Sequence, residues 1–271
     1  MHRILCSTGA VIGRPNGRDF TLLRSCAELL ACDGYEWMMY EAWYEKTDEI
    51  LAFLSDLSME IPVFHIEKSV GNLISRNQPG DVEKALELFA RNCDLASKLG
   101  AETLVLHLWG GLDSDKEIAH NIACYRALRR ISDAHGLVLT VENVVCNRAD
   151  PMSHLQSLAA EYPDIRFTFD TKMAAFHGQL DLLYATENAN LIPRIHHIHV
   201  NDYAGGYMDW GNLQTLHPGE GNVEFDKLFR FLEEVDYRGD FTVEATSFDG
   251  EGRIHFDALN KTFSTVRSLL R

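Results

Sequence analysis

The segment LTVENV, residues 139–144, returns in outline as FTVEAT, residues 241–246. Each run otherwise reads as a buried β-strand but holds one glutamate, Glu142 or Glu244. A bare carboxylate in a buried strand is costly unless something pairs with it. Neighbouring segments repeat the device. Side chains alternate between the two faces of a strand, so every second residue can be followed backwards from a strand end. FTFD (167–170) then carries Asp170 above Thr168, and HIH (197–199) carries His199 above His197. Thr140 lies below Glu142, and Thr242 below Glu244.

These four strands belong to a longer series. Short apolar runs at 3–7, 36–40, 62–66, 103–107, 138–142, 166–170, 195–200 and 241–244 read as strands. Between and after them, helix-like stretches occupy 19–33, 47–57, 81–99, 115–134, 151–161, 180–188, 225–237 and 256–270. The third is the clearest. Val82, Leu86, Phe89, Cys93 and Ala96 fall on one helical face, and Gly100 follows as a stop. Eight strand–helix alternations in 271 residues predict an α/β fold, a single (β/α)8 barrel forming one domain over 1–271. A doubly wound open sheet is the competitor, but neither GxGxxG after the first strand nor GxxxxGK[ST] occurs. In a barrel, inward residues at the C-terminal strand ends line the active-site mouth.

Composition narrows the function classes. The net charge of −15 weighs against nucleic-acid binding, which draws much of its affinity from neutralising phosphates. No apolar run approaches the roughly 20 residues of a membrane span. The six cysteines are scattered with no CxxC pair, as expected for a reduced, cytoplasmic protein.

Glu142, Asp170, His199 and Glu244 therefore gather on four successive strands. A divalent cation removes the repulsion among their carboxylates. Three carboxylates and one imidazole make a mostly hard donor set, suited to Mn²⁺ first and to Mg²⁺, Co²⁺ or Zn²⁺ as alternatives. The competing reading is a polar cap held by hydrogen bonds.

LTVEN, FTFDTK, HHIHVND, HPGEGNVEF and FTVEAT together resemble the xylose-isomerase-like superfamily of TIM barrels. That superfamily contains sugar and sugar-phosphate isomerases and epimerases, keto-inositol isomerases and dehydratases, and abasic-site endonucleases. The resemblance implies a small-molecule carbohydrate substrate, a homo-oligomer by analogy, and one divalent metal ion held by Glu142, Asp170, His199 and Glu244. It further implies that Glu142 and Glu244 are the acid/base pair of a reaction through a cis-enediolate. A proton beside a carbonyl is weakly acidic, so a cation and a positioned carboxylate suit its removal. Dehydration shares this first step. Hydrolysis of damaged DNA would need further metal ligands.

Other residues carry two readings each. His65 and His107 end strands three and four, as substrate hydrogen-bonding groups or second-metal ligands, or as satisfied buried histidines. Lys172 and Arg148 enter mouth loops and could hold a phosphate or carboxylate, or lie on the surface. His217 precedes the PGEGN turn, where Gly219 and Gly221 shape the backbone, and could approach metal or substrate. Trp109 and Trp210 could stack on a sugar ring or simply pack. Glu41 and Trp43 could line the mouth. Ketose 3-epimerases carry a histidine where this chain has Met173 and an arginine where it has Gly205. His177 could replace the former. These departures argue against a plain ketose 3-epimerase.

Overall fold

The computed structural model describes residues 2–57 and 59–270. Eight strands form a closed parallel barrel: β1 Ile4–Ser7, β2 Gly34–Met38, β3 Val63–His65, β4 Thr103–Leu106, β5 Val138–Glu142, β6 Arg166–Asp170, β7 Ile195–His199 and β8 Asp240–Val243. Each pairs with the next in sequence, and β1 closes on β8 through pairs such as Leu5↔Thr242. Nine α-helices accompany them among the described residues: α1 Leu23–Leu29, α2 Thr47–Ser55, α3 Ser69–Arg76, α4 Asp81–Lys98, α5 Ile118–Ala134, α6 Pro151–Glu161, α7 Thr171–Phe176, α8 Phe225–Glu234 and α9 Phe256–Leu269.

The barrel interior is divided. Leu5, Val63 and Val105 form a small apolar cluster. On the β5–β8 side the filling is polar. Thr140 Oγ1 donates to the Leu104 carbonyl at 2.8 Å and lies 2.6 Å from Thr168 Oγ1. His197 Nε2 lies 2.8 Å from Thr242 Oγ1. The large apolar residues, such as Trp37, Phe89, Phe167 and Phe263, pack outside the barrel against the helices. The six cysteines are free.

A register shift aims β7. Phe167 pairs with Ile195, but Thr168 pairs with His197 and Asp170 with His199. The extra residue between them is a bulge, a device that re-aims side chains. It puts His197 and His199 on the same inward face as Thr168 and Asp170.

Two expectations about helices are corrected. The stretch 180–188 is not an α-helix but two 3₁₀ turns, Asp181–Tyr184 and Thr186–Asn188. The α-helix of that connection is α7, which starts at the strand end because Asp170 Oδ1 accepts from the Met173 amide at 2.7 Å. Gly178, at φ 62, follows it, and Asn188 and Gln156 then hold the turns by side-chain bonds to Leu182, Glu187 and Asn190. The stretch 19–33 opens as a 3₁₀ turn and is helical only over α1. The sequence reading also passed over α3, whose Val70 and Ile74 are one helical turn apart and buried.

Helix α3 lies close to the end of β4. A methyl group on Gly71 would fall well inside van der Waals contact of the His107 carbonyl, whereas one on Gly206 would meet nothing within 4 Å. Gly71→Ala should therefore lower stability by roughly 2 kcal/mol or more and Tm by several degrees, as overpacking does. Gly206→Ala should leave Tm unchanged. Thermal unfolding of the pair checks this, and equal Tm values would contradict the close approach.

Candidate active site

Strands β5, β6 and β7 bring Glu142, Asp170 and His199 to the mouth, and Glu244 follows directly after β8. One ligand-capable atom from each lies within 4.8 Å of the others. His199 Nδ1 is 3.3 Å from Glu142 Oε1, 3.3 Å from Glu244 Oε2 and 3.7 Å from Asp170 Oδ2. The group is buried, with only Glu244 partly exposed.

The charges are strongly coupled. Burial opposes a charged His199, but Glu244, Glu36 and Glu142 together drive it well above the usual histidine range. Burial likewise opposes charge on Glu142, but His107 and His199 hold it well below the carboxylate range. Glu244 falls to about 2 for the same reason, with His199 outweighing burial. In this state the imidazolium supplies the positive charge that the carboxylates require.

The donor set also fits a divalent ion. Glu142 Oε2 is buried and makes no hydrogen bond. His107 Nε2 approaches it to 2.7 Å, but off the direction a hydrogen bond needs, and His65 Nε2 is 3.5 Å away. An oxygen with a free lone pair beside three other donors suits a cation, which is less directional than a hydrogen bond.

Surrounding residues fix the quartet's orientation. Asn143 exchanges two backbone bonds with Asp170, accepting from its amide at 2.6 Å and donating to its carbonyl at 3.0 Å. Asn201 accepts from the Glu244 amide and donates to both Asp170 Oδ2 and Glu244 Oε2 at 3.0 Å. Glu36 on β2, not singled out from sequence, is fully buried. Its Oε2 lies 3.1 Å from both His197 Nε2 and His199 Nε2. That contact leaves Nδ1 of His199 facing the carboxylates. A carboxylate behind a ligating imidazole sets its tautomer and raises its basicity.

His65 and His107 join the same space, with ring centroids 4.8 Å apart. Burial pushes His107 down to about 4 against the pull of Glu142, so its ring is neutral at neutral pH. Both line a cavity of about 510 Å³ that opens over Glu142 and Glu244. Lys172 and Met173 line it too. So do residues the sequence reading had not picked out: Arg14, Arg18, Tyr40, Lys68, Asn72 and Thr215.

The other sequence candidates lie outside this lining. Trp109 is buried, donates to the Val144 carbonyl at 3.2 Å and meets His154 edge-on. The Arg148 side chain is exposed, while its amide is pinned to Asp115. His217 bridges the loop after β7 to Thr262 of α9 and to Ser247. His177 Nε2 accepts from the Cys146 amide. Trp43 packs on Trp37, Phe20 and Tyr40, Glu41 is exposed, and Trp210 lies edge-on to Phe176. At Gly205 an added side chain would collide with the Tyr203 hydroxyl. In the same loop, Asp202 accepts from the amides of Tyr203, Gly219, Gly221 and Val223, which fixes the PGEGN turn.

A sequence profile described as xylose isomerase-like TIM barrel matches residues 24–261. The chain belongs to this family. Among curated proteins, the inosose dehydratase of Erwinia tasmaniensis is 23% identical over 194 residues, covering 61% of this chain and 65% of that protein. An inosose dehydratase of Bacillus thuringiensis is 33% identical over 93 residues, 30% of each chain. The match thus spans less than two thirds of either relative. Among solved structures, D-allulose 3-epimerase from Methylomonas sp. superposes with a TM-score of 0.71 at 17% identity, covering 99% of this chain and 98% of that one. The 3-keto-D-glucoside 4-epimerase of E. coli gives 0.70 at 14%, covering 99% and 100%. At these identities the likeness establishes the xylose isomerase-like fold. No described helix is long and apolar enough to cross a membrane.

The contact between Glu36 and His199 gives a prediction for this family member. Glu36→Gln keeps the shape but removes the charge behind the imidazole. Affinity for Mn²⁺ should fall by roughly 10- to 100-fold, read by calorimetric titration. An unchanged affinity would show that Glu36 does not orient a ligand.

Proposed function

We propose that this protein is a divalent-metal-dependent isomerase or epimerase of a sugar, keto-sugar or keto-inositol. The observation that carries the reading is the convergence of Glu142 and Glu244 on one point. Both approach His199 Nδ1 to 3.3 Å, from strands on different sides of the mouth. Glu142, Asp170, His199 and Glu244 would hold the ion, with Mn²⁺ favoured by the oxygen-rich donors and Mg²⁺, Co²⁺ or Zn²⁺ as alternatives. When bound, the ion supplies Lewis-acid polarisation of a substrate carbonyl.

The chain's own residues then divide the work. One glutamate takes the proton from the carbon beside the carbonyl, and the other returns a proton to the neighbouring position or face. His107 and His65, set beside Glu142, hydrogen-bond substrate hydroxyls at the floor of the cavity.

Dehydration is the second reading, favoured by the inosose dehydratase relatives. It begins with the same proton removal and ends with loss of a β-hydroxyl. Incubating metal-loaded protein with ketoses and keto-inositols in D₂O separates the two. Isomerase or epimerase chemistry gives deuterium in a product of unchanged formula, and dehydratase chemistry gives loss of water. Glu142→Gln and Glu244→Gln should each cut turnover by roughly 100-fold or more while circular dichroism stays native. Turnover like the unmodified protein in either variant would refute the acid/base assignment.

A further inference from the structure

We propose that the mouth cavity contains an anion subsite, and that the substrate is a sugar or keto-polyol bearing a carboxylate or phosphate. The inference deepens the reading of the quartet as the reacting centre and rests on it only for where the substrate's other end lies. In a chain of net charge −15, the cavity is lined by four cations: Arg14 and Arg18 after β1, Lys68 after β3 and Lys172 after β6. Some arginines elsewhere pair with carboxylates, as in Arg76–Asp81, Arg129–Asp164 and Arg267–Asp33, while others, such as the exposed Arg130 and Arg148, do not. Among the described residues, none of the four has a carboxylate partner at ion-pair distance.

Two of them are held facing the cavity. Lys172 is only 8% exposed, and its ammonium makes one hydrogen bond, to Thr215 Oγ1 at 2.9 Å. An ammonium has three donors, and burying it without a counter-charge is unfavourable. Arg18 lies with its guanidinium carbon 4.7 Å from the centre of the Tyr40 ring, and its Nε is buried with no partner. Its backbone is fixed at φ 53, a region that favours glycine. The Arg18 amide donates to the Gly13 carbonyl, and its own carbonyl accepts from Trp43 Nε1. Such strain persists where surrounding contacts enforce it, commonly at functional sites. Here it holds the guanidinium over Tyr40 with an unused donor.

The lining carboxylates do not account for these charges. Glu67 Oε2 accepts from the Ser69 amide and hydroxyl. Glu142 and Glu244 belong to the quartet, where either the His199 imidazolium or a bound divalent ion would offset much of their charge. Arg14, Arg18 and Lys68 stand beyond the strand ends and Lys172 in the first turn of α7, so a substrate whose carbonyl reaches the quartet presents its far end to them. A guanidinium fork with neighbouring ammonium groups recognises carboxylate or phosphate oxygens.

The test is calorimetric titration with three probes: erythritol, erythronate and erythritol 4-phosphate, on protein with and without Mn²⁺. One anionic probe should bind at least roughly tenfold tighter than erythritol, and whichever does so identifies carboxylate or phosphate. Arg18→Met and Lys172→Met should each weaken that probe by roughly tenfold with metal content unchanged. Arg14→Met, at an exposed position that cannot disturb packing, should weaken it several-fold. Equal binding of neutral and anionic probes would overturn the subsite. So would a preference that needs Mn²⁺ and survives Arg18→Met, because the probe would then be chelating the metal. An anion preference in protein that binds no Mn²⁺ would support the subsite while refuting the metal-dependent reading.

Discussion

Three carboxylates and an imidazole share a space in which their nearest atoms all lie within 4.8 Å. At that distance two like charges repel by roughly 3–4 kcal/mol at an effective dielectric constant near 20. Much of the rest of the mouth follows from that repulsion. A positive charge must sit among the carboxylates, and the structure provides it as the His199 imidazolium, stabilised by Glu244, Glu36 and Glu142. A divalent ion held by the same four residues would offset more of that charge than a proton can. The site is thus polarised in advance toward a cation, whether proton or metal.

The scaffold around this point resists relaxation. Asn143 locks the backbone of Asp170, and Asn201 ties Glu244 to Asp170. Glu36 braces His199 from below, and the bulge in β7 turns both histidines inward. The threonine layer at Thr140, Thr168 and Thr242 satisfies its hydroxyls within the barrel, so the polar floor carries little cost. Together these contacts keep four groups close that would otherwise move apart.

The barrel and the quartet were legible because they break a strong pattern. Glu142, Asp170, His199 and Glu244 interrupt apolar strands at the same relative position, which alternation makes visible. Glu36 was not legible. It sits in the middle of GYEWM, where a single acidic residue reads as an ordinary outward group, and His197 is 161 residues away in sequence. Arg14 and Arg18 lie in RPNGRD, which reads as a surface turn until Trp43 and Tyr40 are seen to hold it against the mouth. Trp109 illustrates the opposite case. It follows a strand-end histidine, but the chain turns after His107 and sends the indole toward Val144 and His154. Helix 180–188 failed because Asp170, both a quartet member and a helix cap, starts the helix at Thr171, well before the apolar pattern suggests.

The proposed chemistry requires that this buried quartet hold one divalent ion. Elemental analysis of protein purified without chelators, beside Asp170→Asn, tests it most directly. About one equivalent of Mn, Mg, Co or Zn per chain, lost in the variant, is the result expected from a four-donor site. No bound metal, even after incubation with Mn²⁺, would contradict it and leave the strand-end carboxylates as a hydrogen-bonded cap around a charged histidine.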